Sequence, residues 1–73
     1  MARPGIRDLV GRAMIDRSFL AELIRDPAAI LARYDLEADE RAAIMQAIAR
    51  TDQQSERERS QALQAALMKR WAT

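Results

Sequence analysis

GRAMIDRSFLAELIRDPAAILARYDLEADERAA, residues 11–43, decides how this chain is read. Asp16 precedes a run with Phe19, Leu20, Leu23 and Ile24 at helical spacing, and Asp26-Pro27 precedes Ile30, Leu31 and Tyr34. An aspartate at such a boundary can accept a hydrogen bond from a first-turn amide that has no partner within the helix. Its charge also suits the positive end of the helix dipole. Proline at the first helical position costs nothing, because its missing N–H would be unpaired there anyway. The spacing therefore predicts two short helices joined at Asp26, with Leu36 plugging into the core as the chain turns.

Working outward, the N-terminal side predicts a first helix from about Ile6. It places Ile6, Leu9, Val10, Ala13 and Met14 on one face. Gly11 lies within it, and a close approach by a neighbouring helix is the expected reason for a glycine there. On the C-terminal side a fourth helix is expected to start around Ala38 to Glu40, with acidic residues in its first turn and Ile44, Met45 and Ile48 buried. The stretch 51–60, TDQQSERERS, has no apolar residue. It is either a solvated continuation of that helix or a linker, with Thr51 and Gln54 as a capping box for a new start. Leu63, Ala66, Leu67 and Trp71 then mark one side of a last amphipathic helix. The expected organisation is a helical recognition domain over 1–50, a polar connection over 51–60 and an amphipathic tail over 61–73. The expected fold is all-α, a small orthogonal bundle of four or five short helices.

Composition limits what such a chain does. It has 73 residues, 49% of them hydrophobic, with two glycines, two prolines, no cysteine and no histidine. A chain of this size buries only about 60% of its unfolded surface, so small domains commonly lean on disulfides, a metal or a partner. Disulfides and His/Cys metal ligation are excluded by residue type, which raises the weight of a partner or of self-association. Twelve basic and eleven acidic side chains leave a net charge of +1. The arginines alternate with carboxylates, as in Glu56-Arg57-Glu58-Arg59, and form no basic stripe, so nucleic acid is not an expected partner. No apolar run approaches the roughly 20 residues of a membrane span. The residues after Arg3 lack the apolar core of a secretory signal. A cytoplasmic location without membrane association is expected.

Catalysis by this chain is not expected, and neither is a cofactor. Ser18, Ser55 and Ser60 have no histidine to activate them. Asp35, Glu37, Asp39 and Glu40 lack the spacing and turn glycine of a calcium loop, and helix-start electrostatics accounts for them.

Gly11-Arg12-Ala13, Asp16, Phe19, Leu23, Asp26-Pro27, Leu31, Tyr34, Leu36 and Glu40 carry a family resemblance. The segment resembles the helical leader domains of ribosomally synthesised, post-translationally modified peptide precursors, in the nitrile-hydratase-leader-like group. It is also similar to the small α-subunit of extradiol ring-cleavage dioxygenases. That pattern usually has a capping Thr or Ser after the Leu at position 36, where this chain has Glu37.

In the first family the leader docks onto a modifying enzyme and the chain beyond it is the substrate. In the second the helical subunit packs on a catalytic partner. Both imply a protein-binding surface on the helical hairpin. Arg17, Phe19, Glu22, Leu23, Arg25, Asp26, Pro27, Arg33, Tyr34 and Leu36 are its candidate residues. Phe19, Leu23, Tyr34 and Leu36 are expected to serve the core as well. The precursor relationship makes Lys69, Trp71 and Thr73 candidates for modification, Lys–Trp cross-links being known chemistry in such peptides. The alternative is that Trp71 closes an apolar helix face, with Lys69 and Arg70 placed favourably at a helix C-terminus. The expected function is a peptide precursor whose leader binds a maturation enzyme. The alternative is a small non-catalytic accessory subunit or self-associating helical module.

Overall fold

The computed structural model describes residues 3–71. Its helices are α1 (Ile6–Ile15), α2 (Arg17–Arg25), α3 (Pro27–Leu31), α4 (Ala38–Arg50) and α5 (Glu56–Trp71). Among the described residues there is no strand, and the architecture is a small all-α bundle.

Each of the two predicted aspartates ends one helix and starts the next. The Asp16 amide donates to the Arg12 carbonyl at 2.8 Å, closing α1. Its Oδ1 accepts from the Phe19 amide at 3.0 Å, opening α2. Asp26 repeats the device, its amide donating to Glu22 O at 2.9 Å and its Oδ1 accepting from the Ala29 amide at 3.3 Å. One non-helical residue between helices breaks the direction of the chain, and α1, α2 and α3 fold around a common interior. Glu40, not Glu37, supplies the side-chain cap of α4, its Oε1 accepting from the Glu37 amide at 2.8 Å.

The interior collects Leu9, Val10 and Ala13 from α1, Phe19, Leu20 and Leu23 from α2, and Ile30, Leu31 and Tyr34 from α3 and its exit. Ile44 and Ile48 of α4 and Leu63 and Leu67 of α5 complete it. Phe19 and Tyr34 meet edge to face, with ring centroids 6.1 Å apart. Ile6, Met14, Ile24, Leu36 and Trp71 pack half-buried around this set. The start of the chain is tied down by the Asp35 amide donating to Pro4 O at 2.8 Å and by Arg3 Nη1 donating to Ala32 O at 2.8 Å.

Several expectations are corrected. A Cβ at Gly11 would meet nothing within 4 Å, so no helix approaches there. Met45 is 42% exposed, because it lies a quarter turn from the Ile44–Ile48 line that faces the interior. Thr51 does not pair with Gln54 to cap a new helix. It ends α4, its hydroxyl donating to Ile48 O at 2.7 Å. The cap of α5 is Ser55, whose Oγ accepts from the Glu58 amide at 3.4 Å while Glu58 Oε1 accepts from the Ser55 amide at 3.3 Å.

Residues 51–60 therefore divide between a turn over 51–55 and the beginning of α5. The turn is held by Arg59, whose Nε donates to Thr51 Oγ1 at 3.1 Å and whose Nη2 lies 3.9 Å from Asp52 Oδ1. Thr51 is only 4% exposed, and its hydroxyl is doubly used. Helix α5 packs on α1, α2 and α4. Its Leu63 and Leu67 are completely buried, whereas Ala66, expected beside them, is exposed. Gln64 adds a polar tie, donating from Nε2 to the Ala13 carbonyl at 3.1 Å. That bond satisfies a carbonyl in the last turn of α1, which lacks a partner within its own helix.

Candidate docking cleft

Helices α2 and α5 pack against each other, and two adjoining hollows lined by both form a cleft of two parts. One part, about 340 Å³, is lined by Arg17 and Leu20 of α2 and by Arg57, Ser60, Gln61 and Gln64 of α5. The other, about 330 Å³, is lined by Ala21, Ile24 and Arg25 of α2 and by Gln54, Glu56, Arg59 and Ser60. Ser60 is common to both. The charged lining is four arginines against one glutamate, and Leu20 in one part and Ile24 in the other add apolar lining. A surface of that kind suits a partner segment that carries carboxylates and a few apolar side chains. Arg59 is committed to the α4–α5 turn, whereas Arg17, Arg25 and Arg57 belong to no ion pair among the described residues.

The candidate residues of the hairpin separate into four groups. Arg17 and Arg25 line the cleft. Glu22, Asp26 and Arg33 lie outside it, and Asp26 is occupied as a cap. Phe19, Leu23 and Tyr34 are buried, so they shape the surface from beneath and do not themselves meet a partner. Pro27 and Leu36 are half-buried at helix starts. The sequence reading missed the α5 half of the cleft, Arg57, Gln61 and Gln64. The helical spacing of 57, 61 and 64 is visible in the sequence, but their placement beside Arg17 depends on how α5 crosses α2.

Around Asp16 the hairpin carries a small electrostatic cluster. Arg12 Nε lies 3.4 Å from Asp16 Oδ2, and its guanidinium covers the Phe19 ring at 4.8 Å from the centroid. The Phe19 amide is the main cause holding the Asp16 carboxyl below its ordinary value of 3.8, with desolvation opposing and Arg12 assisting.

At the other end of the chain, Lys69 is exposed and Trp71 is half-buried against the core, with the Arg70 guanidinium 5.4 Å from its ring centroid. Thr73 lies outside the described residues. No three or more His, Cys, Asp or Glu side chains are grouped to hold a metal among the described residues. None of the described helices is long and apolar enough to cross a membrane. Comparison of the chain with protein-family models, curated proteins and solved structures finds no match.

Proposed function

We propose that this chain is a non-catalytic docking module whose α2–α5 cleft receives a carboxylate-bearing segment of one protein partner. It would bind as the leader domains it resembles bind their maturation enzymes. The observation that carries this reading is the cleft itself: Arg17 and Arg57 line one part of it and Arg25 the other, each part with an apolar residue in its lining, and the three arginines have no ion-pair partners of their own among the described residues. Arginine is well suited to the task, since its planar fork pairs with carboxylates in two-point geometry. In the precursor form of this proposal the enzyme would act on Lys69, Trp71 or Thr73.

A second reading has its own support. The burial of Leu63 and Leu67 makes α5 a core element, and a substrate tail is more easily presented by flexible chain than by a packed helix. This favours an accessory subunit that keeps its C-terminal helix and binds a catalytic chain through the same cleft.

Two measurements made together test both. The first is the intact mass of the chain from its native source. The second is quantitative co-purification with the wild type and with a variant carrying Arg17→Glu and Arg57→Glu. One enzyme enriched by the wild type and lost with the variant, at unchanged melting temperature, supports docking through the cleft. A mass change confined to residues 69–73 then selects the precursor, and an unmodified, uncleaved chain selects the accessory subunit. Partner retention by the variant rejects the cleft.

A further inference from the structure

The α4–α5 flank is a separate face that shares no lining residue with the α2–α5 cleft. It is a groove of about 420 Å³ with Ala43, Gln46, Ala47 and Arg50 on one wall and Lys69 and Arg70 on the other. Along α4, Asp39, Ala43, Gln46 and Arg50 stand at i, i+4, i+7 and i+11, a single stripe on the helix surface. The stripe begins acidic, passes through small and neutral side chains, and ends basic. We propose that this face pairs with a second copy of the same chain, the two α4 helices crossing antiparallel about a two-fold axis.

Reversal of the stripe onto itself sets Asp39 of each copy opposite Arg50 of the other, and Ala43 opposite Gln46. One contact surface thus serves both copies, as a two-fold interface requires. Within one chain the two charges cannot meet, because the intervening helix holds them about 16 Å apart. Neither takes part in the ion pairs Arg12–Asp16 and Arg59–Asp52. Exposed Asp35 precedes the acidic end in the chain and carries the same sign of charge. Ala43, small and on the stripe, permits two helix axes to approach at the short end of the usual range of about 8–10 Å. A net charge of +1 per chain offers almost no general repulsion between copies. The inference stands independently of the docking cleft, since Arg17 and Arg57 lie on a different face.

Sedimentation equilibrium of the full chain, over about 10 μM to about 1 mM, is the test. The wild type is expected to show a monomer–dimer equilibrium that weakens between about 50 and 500 mM salt. Asp39→Arg and Arg50→Asp, each alone, place like charges in contact and are expected to weaken the dimer at least about tenfold. Mixed in equal amounts, the two variants should pair with each other. One variant then carries arginine at both ends of its stripe and the other carries aspartate at both, so every facing pair is of opposite charge. Restoration on mixing excludes simple misfolding, and circular dichroism on each variant checks its helix content. A wild type that stays monomeric throughout, a dimer indifferent to salt or to both substitutions, or folded variants that fail to pair on mixing would overturn the proposal.

Discussion

Asp16 performs three tasks with one side chain and its own amide: it ends α1, starts α2 through its carboxylate and anchors Arg12 over Phe19. Because its folded-state pKa is lowered, its stabilisation is complete above the ordinary value of 3.8 and is lost as pH falls through the lower folded value. Asp16→Asn retains a capping oxygen but cannot titrate. It should melt below the wild type near neutral pH, and the gap should close below pH 3.8, as followed by thermal circular dichroism. Gly11 gives the opposite case. It lies in mid-helix with open space where a Cβ would go, so Gly11→Ala should stabilise the fold by about 0.5–1 kcal/mol in a denaturant titration. The contrast between these two residues explains what the sequence discloses. The caps at Asp16 and Asp26 depend on backbone only three residues away, so they are legible in one dimension. The reason for Gly11 and the exposure of Met45 depend on which helices pass nearby, and nothing local encodes that.

Among the elements, α5 departs most from its sequence reading. Its first turns, Glu56 to Ser60, contain no apolar side chain, which makes the segment resemble a linker. The start was nonetheless written in the chain: Ser55 and Glu58 form the reciprocal S-x-x-E box, one turn later than the Thr51 and Gln54 expected to do so. What composition conceals is the share of the core held by this helix, since two leucines in sixteen residues look sparse. Both are completely buried, and Leu67→Ala in such a site costs about 2–5 kcal/mol. A domain of this size rarely has more than about 3–5 kcal/mol in total. The substitution should therefore abolish the cooperative thermal transition, and truncation after Arg50 should do the same. A sharp transition surviving either change would mean that α1 to α4 fold without α5.

At the scale of the whole molecule, the question is whether recognition and stability use different residues. The core is a closed set of aliphatic and aromatic side chains with Thr51 as its one buried polar member among the described residues. The charged groups proposed to bind, Arg17 and Arg57 in the cleft and Asp39 and Arg50 on α4, make no ion pair among the described residues. Fold class and most of the apolar faces could be read from the sequence. The α5 half of the cleft could not, because it exists only where two helices distant in the chain lie together. This separation has a measurable consequence. Arg17 and Arg57 line the same small cleft as like charges, so reversing both exchanges one mild repulsion for another and removes no contact from the interior. Exposed substitutions of this kind stay within about 0.5 kcal/mol of the parent. The Arg17→Glu, Arg57→Glu variant should accordingly share the wild-type urea midpoint and slope. A midpoint shifted by more than that would show the cleft arginines to be part of the fold, and a loss of partner binding could then no longer be assigned to the cleft.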